Sequence, residues 1–456
     1  MKRHIVFAWL LSLAYGLLSL STAFAAWKAG VAKVQITPEK LMWMSGYGGR
    51  DHPAEGKLTD LWAKVLVLED EQGNRAAWVT LDLVGIGRTS SNHIRDELEK
   101  QFKLPRAQVS LFCSHTHTGP VVGRNLMTMY FLDESNTQLV QDYTRQMETK
   151  VVSAVGQAIN GLTEAQVSWG IGRATFAVNR RTNREADVPR LRELGQLKGP
   201  VDHQVPVLSV RKPDGALQAI LCGYACHATV LSFYQWSGDW PGFAQQELEK
   251  RHPEATALFF AGCGADQNPL PRRTVELAQE YGRQLAQAVD DELHGVMRPI
   301  TGGLSSQYAE IELPFGELPT REQITKDTES SNRFIASRAK ELLQQLNGPG
   351  LPKTYPYPVQ TWRLGDGPTW VVLGGEVVVD YALRIQQELG PHAWVAGYAN
   401  DVMAYIPSRR VLLEGGYEGG GAMIYYGLPA PWGIDVESLI MTEVHRQTKQ
   451  LKDIAK

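Results

Sequence analysis

The sequence predicts an α/β protein in which helices flank a mixed β-sheet core within a single large domain. Three observations predict it. Short apolar runs of strand character alternate with longer stretches of helical periodicity along the 456 residues. A hydrophobic fraction of 43% and a charged fraction of 21% describe a globular chain long enough to bury a sizeable core. No internal repeat, low-complexity tract or linker divides the chain, and the Gly- and Pro-rich stretch 348–358 reads as a loop inside one domain.

The elements follow in order. Val, Leu and Ala dominate 63–68 and 77–83, which read as strands, and 92–102 has the apolar spacing of a helix. Val109–Cys113 is a short, wholly apolar strand, and 139–159 a long amphipathic helix. Residues 172–178, 205–210 and Leu217–Tyr224 read as strands, 243–251 as a helix, 255–261 as a buried strand and 274–293 as a helix. A strand at 370–373, a helix at 376–389 and a strand at 393–398 complete the alternation. Residues 115, 227, 262–268 and 376 each follow an apolar strand. In open α/β sheets, sites gather beyond the carboxyl ends of strands, so distant segments are expected to converge there.

The N-terminus reads as an export signal over 1–25. Lys2 and Arg3 begin it, 5–20 is mostly apolar, and Ala23-Phe24-Ala25 is a small-x-small cleavage site. The working domain is then expected over 26–456, in a secreted or periplasmic protein. No cysteine near the cleavage point marks a lipoprotein, and no later run is long enough to span a bilayer. A net charge of −3 lacks the basic surplus of nucleic-acid binders. The four cysteines, Cys113, Cys222, Cys226 and Cys263, suit disulfides or small buried hydrophobes equally, and no CxxC pair forms a zinc knuckle. Twelve Trp favour a ligand surface with exposed rings, with burial in the core as the alternative.

The candidate chemistry centres on LFCSHTHTGP (111–120). His115 and His117 stand two apart after a strand, so an extended chain would present both imidazoles on one side, and imidazole is the commonest metal ligand. His227 follows the strand Leu217–Tyr224 and suits a ligand or a core histidine. Glu376 follows TWVVLGG and opens a helix, where a carboxylate also favours the helix dipole; Gly374 and Gly375 allow the close backbone approach of a crowded site. Arg180, in Asn179-Arg180-Arg181, could clamp a carboxylate or an oxyanion. Tyr405 precedes the glycine-rich turn 415–421, and Tyr417 lies within it.

These motifs, in this order and spacing, resemble the catalytic domain of the neutral/alkaline non-lysosomal ceramidase family. SHTHTGP (114–120), FAVNRR (176–181), GGEVVVDYALRI (374–385) and AYIPSRRVLLEGGYEGG (404–420) carry the likeness, supported by VAKVQITPEKLMWMSGYGGR (31–50) and Trp62-Ala63-Lys64. The resemblance implies a secreted zinc amidase that cleaves an N-acyl bond, with one zinc at the strand ends. His115, His227, Glu376 and Tyr405 would be its ligands, and His117, Arg180 and Tyr417 active-site residues. Two imidazoles and a carboxylate make a familiar catalytic zinc shell, whereas a tyrosine ligand is unusual. The family also has a GDVSPN-type segment with an active-site serine. Here the corresponding stretch is AGCGADQNPLPRR (261–273), and Gln267 replaces that serine. Gln267 cannot be a nucleophile, though its amide could donate to an oxyanion, so zinc-activated water is the expected attacking group. The family's C-terminal β-sandwich is expected to be absent. The expected partner is a small-molecule or lipid substrate with an N-acyl group, not a nucleic acid. Arg272 and Arg273 keep open a metal-dependent esterase or deacetylase of acylated sugars, and a non-catalytic metal-containing binding protein is the alternative of a different class.

Overall fold

Three parallel strand pairs, each closed by a crossover helix, set the architecture. The computed structural model describes residues 27–454, so the expected signal segment 1–25 lies outside the described residues. Eight strands form a large sheet: β1 (Trp27–Gln35), β2 (Trp62–Glu69), β3 (Arg75–Leu81), β4 (Val109–Cys113), β5 (Thr163–Arg173), β6 (Gln204–Arg211), β7 (Leu217–Tyr224) and β8 (Thr256–Ala261). Their order is β8-β7-β6-β5-β1-β2-β3-β4, and a two-residue strand at Arg298–Pro299 adds to β5. Four strands form a second sheet in chain order: β9 (Leu304–Pro314), β10 (Thr354–Leu364), β11 (Thr369–Leu373) and β12 (Trp394–Ala396). β3/β4, β7/β8 and β11/β12 run parallel, and the other neighbours in these two sheets run antiparallel. Parallel neighbours need a crossover. Here α1 (Arg88–Phe102) joins β3 to β4. Past α2 (Glu134–Asn160), α3 (Asp239–Arg251) joins β7 to β8. Past α4 (Val275–His294), α5 (Val379–Leu389) joins β11 to β12, and α6 (Val436–Ile454) ends the described chain.

The alternation of each strand sorts its side chains between layers. Val65 and Val67 of β2 face Ile94, Leu98, Val151, Val155, Leu248 and Leu285 of the outer helices. Leu66 and Leu68 face the other way, into a core shared with Trp362, Trp370 and Trp394 of the second sheet. The far side of that sheet, Tyr357, Val359, Val371 and Leu373, packs on Tyr381 and Ile385 of α5 and Ile440 and Val444 of α6. The mixed sheet flanked by helices is therefore a four-layer arrangement, helices–sheet–sheet–helices. The expectation of an exposed tryptophan surface is corrected here. Trp78, Trp362, Trp370 and Trp394 are fully buried, and their rings meet edge-on with centroids 5.2–5.9 Å apart. All four cysteines are buried and free.

Two further expectations are corrected. Residues 354–358 are not loop but the start of β10. Pro356 and Pro358 pair only with β9, because β11 joins β10 from Val359 onward, and an edge tolerates a residue without an N–H. The run 172–178 is not one strand. β5 ends at Arg173, and Ala177–Asn179 forms a separate short ladder with Gln267–Pro269.

The large sheet curls until its edge strands β4 and β8 meet, with the rings of Phe112 and Phe260 5.8 Å apart. The chain leaving β12 binds both edges. Gly397 N–H donates to Ala261 O (3.0 Å), Cys113 N–H to Tyr398 O (3.2 Å) and Asn400 N–H to Leu111 O (2.7 Å). The carboxyl ends of the three parallel pairs are thereby gathered at one place.

Candidate metal centre

Each converging side chain is held by its own strand end. The chain leaving β4 turns at once, with His115 in the left-handed region at φ 61°, a strained conformation for a residue with a Cβ. His115 and His117 meet through this turn and not through the strand alternation expected from their spacing. His117 N–H bonds Ala228 O at 3.1 Å, which ties the turn to the loop of His227. His227 N–H donates to Gln267 O at 2.9 Å. Glu376 lies in a two-residue parallel ladder with Tyr405 as its pairing partner. Gly374 and Gly375 precede it where a Cβ would come within 2.9 Å of Asp401 O and 2.7 Å of Ala404 O.

The side chains point into one small volume. Glu376 Oε2 is 3.2 Å from His115 Nε2 and 3.2 Å from His227 Nε2. His117 Nε2 lies 3.0 Å from His115 Nε2, and Tyr405 Oη 3.3 Å from His227 Nε2. The ligand atoms of the three histidines all fall within 4.8 Å of one another. His115 and His227 are each 1% exposed and Glu376 3%.

The hydrogen-bond chemistry of this volume suits a cation. His115 Nδ1 is 2.6 Å from Val84 O and His227 Nδ1 2.7 Å from Gly264 O. A carbonyl only accepts, so each Nδ1 carries the proton and each Nε2 presents a lone pair. Burial, with the charge of Arg180, pushes His227 down to about 4, so it is neutral at pH 7. Burial and then the two neighbouring imidazoles hold His117 well below its ordinary value. Glu376 Oε2 thus confronts two lone pairs and has no hydrogen-bond donor among the described residues. Lone pairs repel one another unless a cation sits between them. Two imidazole nitrogens and a carboxylate oxygen, with a phenol alongside, fit zinc and not a hard cation such as calcium, which prefers all-oxygen shells.

Around this group lies a second set of polar contacts. Arg180 donates from Nε to Glu418 Oε1 (2.7 Å), from Nη2 to Tyr405 Oη (3.1 Å) and from Nη1 to Asn268 Oδ1 (3.3 Å). Tyr417, 43% exposed, stands edge-on to Tyr405 with ring centroids 5.2 Å apart, and its hydroxyl has no hydrogen-bond partner among the described residues. Gln267 is brought close but does not face the pocket. Its Oε1 accepts from Asp202 N–H (2.9 Å) and its Nε2 donates to Ala225 O. The amide offered by the sequence to an oxyanion is bound instead to the main chain, because the short ladder with Asn179 turns this side chain inward.

Three residues escaped the sequence reading. The Tyr426 hydroxyl donates to Glu376 Oε1, leaving only Oε2 to face the imidazoles. Glu418 holds Arg180 and Arg181, and it directly follows Tyr417 in a motif already singled out. Asp266 accepts from Val379 N–H (2.8 Å) and Asn179 Nδ2 (3.2 Å), pinning the start of α5 to the Asn-Arg segment.

A model of the family described as neutral/alkaline non-lysosomal ceramidase, N-terminal, matches residues 27–287. That stretch holds His115, His117, Arg180, His227 and Gln267, while Glu376, Tyr405 and Tyr417 lie beyond it. Two curated relatives, each described as a neutral ceramidase, come from Drosophila pseudoobscura pseudoobscura and Drosophila melanogaster. They are 26% identical over 238 residues and 25% identical over 236. Each match covers 50% of this chain and 33% of the relative, so it spans a third of the curated relatives' length. Among solved structures, the neutral ceramidase of Pseudomonas aeruginosa superposes with a TM-score of 0.73 at 19% identity, covering 94% of this chain and 75% of that one. A ceramidase complexed with C2 gives 0.69 at 17% identity, covering 93% and 76%. At these identities the structural likeness is one of fold.

Proposed function

The chain belongs to the neutral/alkaline non-lysosomal ceramidase family, and from that premise we propose that it is an exported, zinc-dependent hydrolase of an amide (N-acyl) bond. The observation that carries the reading is Glu376 Oε2, buried, without a hydrogen-bond donor among the described residues, and 3.2 Å from the Nε2 atoms of both His115 and His227. One zinc per chain would be held by His115, His227, Glu376 and Tyr405. When bound, it would polarise the acyl carbonyl and acidify the attacking water.

The chain's own residues account for the rest of the chemistry. His117 is neutral and its Nε2 faces the ligand group, 3.0 Å from His115 Nε2, so it can take a proton from the attacking water and return it to the leaving amine. Burial, with Glu376 nearby, pushes the Tyr417 phenol upward, so its free hydroxyl stays protonated and can donate to a developing oxyanion. Arg180 supplies fixed positive charge beside Tyr405. Gln267 stands where the family's serine would be and an amide is no nucleophile, which supports attack by water without an acyl-enzyme. The substrate is a small molecule or lipid bearing an N-acyl group. Export is supported by the charged start, apolar run and small-x-small site of 1–25. Among the described residues no helix is long and apolar enough to cross a membrane.

Elemental analysis joined to a hydrolysis screen tests the reading. Protein purified without chelator should carry about one zinc per chain. It should release fatty acid or acyl group from N-acyl lipids or acylated amino acids in preference to acetylated sugars. Absence of any transition metal, or full loading without turnover of any amide, would refute it.

A further inference from the structure

Beside the loop over His117 stands an arginine with no carboxylate in direct contact, whose charge is felt only through space by the buried Asp239. Most arginines around the pocket are paired: Arg180 and Arg181 with Glu418, and Arg272 with Glu185 in a two-pronged contact. Arg273 is different. It is exposed, and among the described residues its guanidinium meets no carboxylate within 4 Å. Its single hydrogen bond is from Nη1 to Tyr47 Oη at 3.1 Å, and it lies 5.5 Å from the centre of that ring. Tyr47 in turn packs on His117, ring centres 4.8 Å apart. Arg273 holds φ 98°, with its N–H bonded to Val230 O at 2.8 Å, so its backbone is fixed in a region costly for a side-chain-bearing residue. Arg333 reaches the same loop, bonding Gly48 O at 2.6 Å, and it too meets no carboxylate there.

We propose that Arg273, presented beside Tyr47 at the rim of His117, is a specificity-determining residue that selects N-acyl substrates carrying an anionic oxygen group, a carboxylate or a phosphate, on the released amine. The proposal rests on the hydrolase reading above and narrows it. With the amide carbonyl among His115, His227 and Glu376, the amine leaves past His117 and Tyr47 towards Arg273. A planar guanidinium with most of its donors unspent binds such a group through paired hydrogen bonds.

The test uses one acyl chain on three amines: N-lauroyl-glycine, N-lauroyl-O-phosphoethanolamine and the neutral N-lauroyl-ethanolamine. For the zinc-loaded protein the ratio of kcat/KM, anionic over neutral, should be about threefold to fivefold, the size of one charge-assisted contact at an exposed rim. The ratio should collapse towards one in Arg273→Gln, and fall with added salt, while Arg272→Gln keeps it. The two anionic substrates show which group is preferred. A ratio near one in the parent protein, or one that survives Arg273→Gln, would overturn the proposal. So would a preference seen only on anionic vesicles, which would assign Arg273 to surface docking. Calorimetry of dodecylsulfonyl-glycine against dodecylsulfonyl-ethanolamine on the metal-free protein gives a second readout. If no substrate turns over, the hydrolase reading fails by itself, and the binding ratio and its loss in Arg273→Gln still decide the anion site.

Discussion

One carboxylate oxygen concentrates the chemistry of this pocket. Glu376 Oε2 faces His115 and His227 Nε2 at 3.2 Å, while Tyr426 satisfies Oε1. Glu376→Gln replaces the carboxylate with an amide that can donate to those nitrogens. It should abolish zinc retention and leave the melting temperature of the chelated protein unchanged or higher, as read by elemental analysis and thermal melts in EDTA. Arg180→Ala should keep zinc, because its guanidinium lies behind Tyr405, but lower turnover by roughly a hundredfold, the order of loss when one preorganised charge beside the reacting group is removed. Asp401 tests electrostatics away from the ligands. Burial pushes its carboxyl up to about 7, and Tyr355 Oη donates to it at 2.7 Å. The fold therefore holds this proton more tightly than the unfolded chain. Its contribution is fully present below pH ~4 and is lost as pH rises through about 7. Asp401→Asn should match the parent near pH 4 and exceed it at pH 8, by on the order of a few kcal/mol in denaturant melts. An equal difference at both pH values would contradict the assignment.

At the scale of elements, the crossover units do the positioning. His115, His227 and Glu376 each follow the first or second strand of a parallel pair, and each was findable because apolar strands stand out in sequence. The ladder of Ala177–Asn179 with Gln267–Pro269 was not legible, since three-residue strands leave no periodic signal. It decides the role of Gln267. Gln267→Ala would strip Ala225 O and Asp202 N–H of their partners. It should cost about 1–3 kcal/mol per buried group left unpaired, with the loop of His227 loosened and turnover lowered in consequence. Denaturant midpoints and hydrogen exchange over 225–228 would read this. Gln267→Ser with full stability and raised turnover would contradict the strut role. β10 escaped for a related reason. Two prolines at its start look like punctuation, yet they sit on the half of the strand that pairs on one side only.

For the whole molecule, the candidate ligands come from both sheets: His115 and His227 from β4 and β7 of one, Glu376 from β11 of the other. An ion there would stitch the two layers together. Chelation should therefore lower the melting temperature by several degrees, since binding to the folded state alone contributes roughly 4 kcal/mol at a thousandfold excess over Kd. Hydrogen exchange should rise at 114–117, 225–228 and 374–377 with little change in β2 or β7. A melting temperature indifferent to chelator would argue against a zinc bridge. The sequence by itself determined the alternation of strands and helices, the strand ends that bear His115, His227 and Glu376, and the family, because local periodicity and short motifs are written in neighbouring residues. Only the tertiary structure decided that the sheet is two sheets, that the tryptophans seal them, that His115 turns through a left-handed conformation, and that Gln267 faces main chain while Arg273 is left without a carboxylate. Each of those depends on which distant segments meet, and contacts between Phe112 and Phe260, or between Asn400 and Leu111, carry no trace in the order of the residues along the chain.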